Sequence, residues 1–265
     1  MKDFFSKNGY VVMKNLISKK TIETVRKEAS LLFEKYKDFT LTPTQFLNLP
    51  SASDSIVSDK AVDYIKSIVG KSYCMQPNYT IRKDLYIGWH CDDEFSKGNL
   101  FEDCLTDMPE FLQCNIYLQD NHTIFGGGID VYAKSHHLFH QQKKAIIDKN
   151  TNNYISIKTK AGDMLIFDYR IVHRSSQPKV SSPLDRLAIQ WTISLSENFS
   201  KKYLYYLLNR RSDKLHLSDF TGKRALQYFN DILNISYPDS FSNYFKIQVK
   251  KHNIGILTAK KYQLV

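Results

Sequence analysis

From Ser72 onward the chain breaks into short β-like runs: Tyr73–Arg82, Leu85–His90, Phe111–Leu118, Gly128–Ala133, Tyr154–Lys158, Asp163–Phe167 and Leu187–Leu195. Turn-forming residues separate most of them, at Lys83-Asp84, Asp120-Asn121, Gly126-Gly127-Gly128 and Ala161-Gly162-Asp163. Short strands joined by tight turns predict a sandwich or jelly roll, here over roughly residues 72–195. A chain of 265 residues can bury such a core as one domain with helical additions, so a single domain over 1–265 is expected.

The flanks read differently. Phe4 to Ser18 suggests a short helix, a tight point at Asn8-Gly9 and a strand at Tyr10–Met13. Ser18 is placed to cap a helix in which Ile22, Val25, Ala29, Leu32, Phe33 and Tyr36 recur at helical spacing, with Glu23, Lys27 and Glu34 on the other face. A polar stretch through Pro43 and Pro50 follows, then a helix from Asp59 to Val69 that stops at Gly70. The extension over 197–265 is mixed: Tyr203–Asn209 and Arg224–Leu233 look helical, and Phe245–Ile256 is expected to pair as strands.

One short string carries chemistry. In His90-Cys91-Asp92 alternation along a strand puts His90 and Asp92 on one face and Cys91 on the other; Asp93 would face away with Cys91. Joined by His173 from a distant segment, they make a two-histidine, one-carboxylate set, which holds Fe(II) on one face and leaves the opposite positions open. Arg186, beyond the second histidine, offers a planar fork for a carboxylate. Each residue also has a bland reading: a polar turn for Asp92-Asp93-Glu94, a surface histidine beside Arg174, a cation at a strand rim. His136, His137 and His140 form a second histidine set with an i,i+4 pair. The glycine run at 126–128 is not a phosphate loop, because no Gly-Lys-Ser/Thr follows it.

Composition bounds the partners. The formal charge is +10, from 37 basic and 27 acidic residues. The basic residues are scattered in pairs such as Lys143-Lys144 and Lys250-Lys251, which reads as a solvated surface; attraction to an anionic metabolite is the sharper reading. No recognition motif points to nucleic acid. No apolar run is long enough to span a bilayer, and the first residues lack the features of a secretory signal. Cys74, Cys91, Cys104 and Cys114 have no CxxC spacing and read as reduced thiols of a cytoplasmic protein.

Taken in order, these residues resemble the phytanoyl-CoA dioxygenase family of Fe(II)/2-oxoglutarate oxygenases, which includes ectoine hydroxylase. Phe5-Ser6-Lys7-Asn8-Gly9-Tyr10-Val11-Val12 is similar to that family's opening, and Trp89-His90-Cys91-Asp92 matches its WHxD. Ile116–Asp120, Gly127-Gly128 and Ser135-His136 follow where the family has a strand, a glycine and a PGSH turn, with Ala133-Lys134 replacing its Pro-Gly. Ala161-Gly162-Asp163 and His173-Arg174-Ser175 match its GD…HxS, and Arg186 its 2-oxoglutarate arginine. The likeness covers Phe4 to Leu195.

The resemblance implies a double-stranded β-helix, cupin-like core with N-terminal helices and a mixed C-terminal extension. It also implies Fe(II) on His90, Asp92 and His173, 2-oxoglutarate on Arg186 with help from Ser175, and O₂ as oxidant. The implied reaction hydroxylates a small molecule and releases succinate and CO₂. Asp92 sets the chain apart from related halogenases, which vacate that position; desaturation, epimerisation and ring closure stay open. Gln76, Asn78, Thr80 and Arg82 alternate on one strand, so Gln76 and Thr80 are candidates for cofactor or substrate contact. Asn115 and Tyr117 are candidates to line the same cavity, and Trp89 to wall it or to sit in the core. The competing readings are a non-catalytic jelly-roll binding module and an oxygenase acting on a protein or nucleic acid. Oligomeric state is not legible.

Overall fold

Local signals set the amino-terminal elements. In the computed structural model, which describes residues 1–70, 72–92, 109–149, 152–209 and 230–260, helix α1 (Lys2–Asn8) ends at Gly9 and strand β1 (Tyr10–Met13) follows. Gly9 has φ 79°, and a Cβ there would lie 2.5 Å from His136 Nδ1, so both backbone and space require glycine. Ser18 caps α2 (Lys19–Tyr36) by accepting from Thr21 N at 3.1 Å, a contact worth about 1 kcal/mol. The stretch through Pro43 and Pro50 is not simply a connection. It holds α3 (Pro43–Leu47) and α4 (Pro50–Ser53), each with its proline in the first turn, and Thr42 and Gln45 form a reciprocal capping box. Helix α5 (Asp59–Val69) has its predicted bounds and stops at Gly70, which takes φ 71°.

Among the described residues, ten strands build two sheets. They are β1, β2 (Cys74–Met75), β3 (Thr80–Lys83), β4 (Phe111–Tyr117), β5 (Ile129–Val131), β6 (Ile155–Ser156), β7 (Met164–Asp168), β8 (His173–Ser175), β9 (Leu187–Ser194) and β10 (Gly255–Ile256). The larger sheet runs β1-β7-β4-β9-β2-β10, with β3 also paired to β9; the smaller runs β6-β5-β8. All pairings are antiparallel except β10 on β2.

Period-two alternation gives the larger sheet two unlike faces. Leu112, Cys114 and Ile116 of β4 and Leu187, Ile189, Trp191 and Ile193 of β9 share one apolar cluster with α2, α3, α4 and α5. On the opposite face Tyr117, Leu165, Phe167 and Ala188 pack against Ile129 and Val131 of the smaller sheet. Two facing, almost wholly antiparallel sheets with helices behind one of them are the jelly-roll architecture expected from the strand pattern; among the described residues the sheets do not close into a barrel.

Two stretches differ from the sequence expectation. Leu85–His90 forms no strand, only a single antiparallel bridge between His90 and His173. Phe245–Ile256 is mainly helix: α8 (Asn243–His252), after α6 (His140–Lys149) and α7 (Glu197–Asn209), with β10 beyond it. Ser242 starts α8 by accepting from Phe245 N at 3.0 Å, and Phe245 and Val249 bury on one helical face. Most of Arg224–Leu233 lies outside the described residues. Phe241, Phe245, Val249, Ile254 and Ile256 complete the same apolar cluster as α2 and α5. No helix among the described residues is long and apolar enough to cross a membrane.

Candidate metal centre

Two backbone hydrogen bonds bring the histidines together. His90 N donates to His173 O and His173 N to His90 O, each at 2.9 Å, so the residues stand directly opposite on neighbouring segments. Their rings lie 4.2 Å apart between centroids. Asp92 follows in a turn fixed by its N–H donating to Tyr169 O at 3.0 Å. Its Oδ1 lies 3.7 Å from His90 Nε2, and one ligand atom from each of His90, Asp92 and His173 falls within 4.8 Å of the others.

Each imidazole is oriented from behind. His90 Nδ1 donates to Gly88 O at 2.7 Å and His173 Nδ1 to Ile171 O at 3.0 Å, which leaves each Nε2 with its lone pair toward the centre. Both residues are buried, with 9% and 6% of their surface exposed. Burial, and for His90 the neighbouring His173 as well, pushes both pKa values down to about 4; the Asp92 charge opposes the shift at His90. The rings are therefore neutral near pH 7, as metal ligands must be. Two imidazole nitrogens and one carboxylate fit a divalent first-row metal with open positions.

The carboxylate fork sits on the same side. Arg186 is 3% exposed and immediately precedes β9. Its Nη1 donates to Leu85 O at 2.9 Å and its Nη2 to Gly128 O at 3.3 Å, while Tyr86 and Tyr117 flank it at 5.5 and 5.7 Å. Its Nε is buried with no partner among the described residues. An orphaned, buried guanidinium N–H fits an anionic co-substrate, because leaving such a donor unmet is costly. The Ser175 hydroxyl shares the Leu85 carbonyl with Arg186, at 3.3 Å, and accepts from Ile87 N at 3.1 Å.

The remaining sequence candidates scatter. Gln76 donates to Ser200 Oγ on α7 at 2.8 Å, and Thr80 to Leu41 O at 2.7 Å. Asn115 and Tyr117 lie on the inner face of β4 and hydrogen-bond to each other at 3.3 Å. Trp89 packs behind the site, 4.5 Å from Tyr132 and 5.4 Å from Tyr154. His136 and His137 both donate to Ser6 O, at 2.8 and 3.0 Å, and so tie a turn to α1 instead of forming a metal set with His140. Lys134, which stands where the family has glycine, takes φ 69° and keeps the turn.

Sequence reasoning missed the support on the outer side. Arg174 lies between Trp89 and Tyr154, with its guanidinium carbon 4.5 and 4.6 Å from the two ring centroids. Its Nε donates to Asp130 Oδ2 at 2.9 Å, and Ser176 Oγ donates to Asp130 Oδ1 at 2.7 Å. The one signal in the sequence was adjacency: Trp89 precedes His90 and Arg174 follows His173.

A jelly roll presenting two neutral histidines, a carboxylate and a buried arginine defines the class of non-haem iron oxygenases. The model of the phytanoyl-CoA dioxygenase (PhyH) family matches residues 5–183, and the chain belongs to that family of Fe(II)- and 2-oxoglutarate-dependent enzymes. No curated relative matches it in sequence. Among solved structures it is similar to EctD from S. alaskensis with 2-oxoglutarate and 5-hydroxyectoine (17% identity, TM-score 0.55, covering 73% of this chain and 74% of that one). It is also similar to HygX from Streptomyces hygroscopicus with nickel and 2-oxoglutarate bound (15%, 0.55, 73% and 84%). A third is the carbocyclase SnoK from nogalamycin biosynthesis (15%, 0.57, 72% and 81%). At these identities the likeness speaks to fold.

Proposed function

We propose that the chain hydroxylates a small, polar molecule, with His90, Asp92 and His173 holding Fe(II) and Arg186 holding the distal carboxylate of 2-oxoglutarate. The observation that carries the reading is the pairing of a converging Nε2–Nε2–carboxylate set with a buried arginine whose Nε lacks a partner among the described residues. When bound, iron and 2-oxoglutarate supply the oxidising power that places one oxygen atom of O₂ in a C–H bond and the other in succinate, with loss of CO₂. The protein's part is to orient. Gly88 O and Ile171 O keep the imidazoles turned inward, Arg186 fixes the far end of the co-substrate, and the Ser175 hydroxyl borders it. Asp92 keeps the carboxylate position filled, which favours hydroxylation over halogenation.

The inner face of the larger sheet supports a polar substrate. In β4 and β9 every residue is buried except Gln113 and Gln190, each half-buried on that face. Arg82 lies on the same face of β3 and adds positive charge near His90. Amides and a guanidinium recognise oxygen-rich or anionic groups better than alkyl chains. The reading includes a reducing, cytoplasmic setting, because the cysteines carry no CxxC spacing.

The test is anaerobic addition of Fe(II) and 2-oxoglutarate to metal-free protein, following the visible charge-transfer band of the chelate. Wild type is expected to show the band, with Asp92→Ala and Arg186→Ala each weakening it. A folded wild type with no band overturns the oxygenase reading and leaves a jelly-roll binding module.

A further inference from the structure

The hydroxyl of Tyr117 is surrounded by donors. Asn115 Nδ2 donates to it at 3.3 Å, and the Arg186 guanidinium lies beside it, close enough for its charge to oppose the rise in the phenol's pKa. An amide nitrogen and a guanidinium carry no acceptor lone pair, so neither can take the phenol's proton. Its own O–H proton has no acceptor among the described residues, although the residue is 1% exposed. Burial, the largest influence on this group, raises its pKa and keeps that proton in place. Beside it lies the second unmet buried donor, Arg186 Nε. Two unsatisfied donors on neighbouring buried side chains call for an anion that accepts from both. The Ser175 hydroxyl differs in this respect, since its proton already goes to Leu85 O.

We infer that Tyr117 is a co-substrate-binding residue whose O–H donates, together with Arg186, to the distal carboxylate of 2-oxoglutarate. The inference rests on the co-substrate reading above and adds a selectivity device to it. A 2-oxo acid ending in methyl would leave both donors unmet, so Tyr117 tunes the site for a dicarboxylic acid. Asn115 is the positioning residue, because its amide holds the phenol oxygen by the acceptor side and turns the O–H away.

Tyr117→Phe isolates the hydroxyl, because phenylalanine keeps the ring that flanks Arg186 at 5.7 Å. Anaerobic Fe(II)-loaded protein is titrated with 2-oxoglutarate and with 2-oxovalerate, which has the same carbon chain but a methyl in place of the distal carboxylate. In Tyr117→Phe the Kd for 2-oxoglutarate should rise about ten-fold or more, as for loss of a hydrogen bond to a charged group. Affinity for Fe(II) and for 2-oxovalerate should match wild type. An unchanged 2-oxoglutarate Kd overturns the inference, as does an equal loss for both oxo acids, which would make Tyr117 scaffolding. Wild type that binds Fe(II) but neither oxo acid overturns the parent reading instead, and this inference with it.

Discussion

At the residue scale, the two histidines work by staying neutral. Each ring donates through Nδ1 to a backbone carbonyl two residues earlier, His90 to Gly88 and His173 to Ile171. The same local geometry thus prepares both Nε2 atoms. Burial depresses both pKa values to about 4, well below the roughly 6.5 of a free imidazole. The sign follows from linkage. Between about pH 6.5 and 4 the unfolded chain takes up protons that the native rings refuse, so stability is full above the unfolded value and is lost as pH falls through that window. Metal-free protein unfolded by urea at pH 7.5, 6 and 5 should lose on the order of a few kcal/mol across the series. Stability that stays flat from pH 7.5 to 5 would mean the rings are not buried neutral. The His-x-Asp spacing and the second histidine were legible because the chemistry needs those residue types on one face. The role of the Gly88 and Ile171 carbonyls was not, since a backbone atom leaves no trace in the sequence.

At the element scale, the metal centre hangs on a thin connection. The segment carrying His90 is no strand, and it meets β8 through one bridge at His173, the bond from Ser175 N to Ile87 O at 2.9 Å and the two bonds of the Ser175 hydroxyl to Ile87 N and Leu85 O. So short a connection constrains little, and the Arg174 cluster supplies what it lacks. With one flat cation between Trp89 and Tyr154 and an ion pair to Asp130, the segment before His90 and the strand after it are held in a common register. Arg174→Gln should therefore weaken Fe(II) affinity about ten-fold, the usual range for loss of a group that orients ligands. Arg174→Lys should not restore it, since an ammonium cannot lie flat between two rings. Calorimetric titration with Fe(II) on the folded variants checks this; wild-type affinity in Arg174→Gln would reduce the cluster to surface packing. This scale is also where sequence reasoning divides. Helix α5 was legible to the residue because Ser58, the apolar spacing and Gly70 are all local. Leu85–His90 was misread because strand formation depends on a partner far along the chain, and within it only His90 forms a full bridge. Phe245–Ile256 was misread because its aromatic and β-branched residues suit either structure, and Ser242 and a helical burial stripe decide for helix. The Arg174 cluster was invisible because Asp130, Tyr154 and Trp89 converge only in the fold.

At the scale of the whole molecule, the larger sheet is a partition. Its outer face joins α2, α3, α4, α5 and the carboxyl-terminal elements in one apolar cluster, and its inner face carries Tyr117, Asn115, Gln113, Gln190 and the approach to Arg186. The extension beyond residue 230 belongs to the first side. Phe245 is fully buried, 4.7 Å from Phe241 and 6.4 Å from Tyr79, and β10 adds a parallel strand at the edge beside β2. Stability and chemistry should then separate by face. Phe245→Ala removes a buried ring from the outer side and should cost about 3–5 kcal/mol. None of its aromatic contacts reaches a residue that orients His90, His173 or Arg186. Chemical denaturation should show the loss, while Fe(II) and 2-oxoglutarate affinities, measured well below the unfolding midpoint, stay at wild-type values. Arg174→Gln should show the reverse emphasis, because its partners back the metal ligands from outside the smaller sheet. If Phe245→Ala instead weakens both ligands while the protein remains folded, the sheet transmits strain between its faces, and the extension takes part in shaping the site it does not touch.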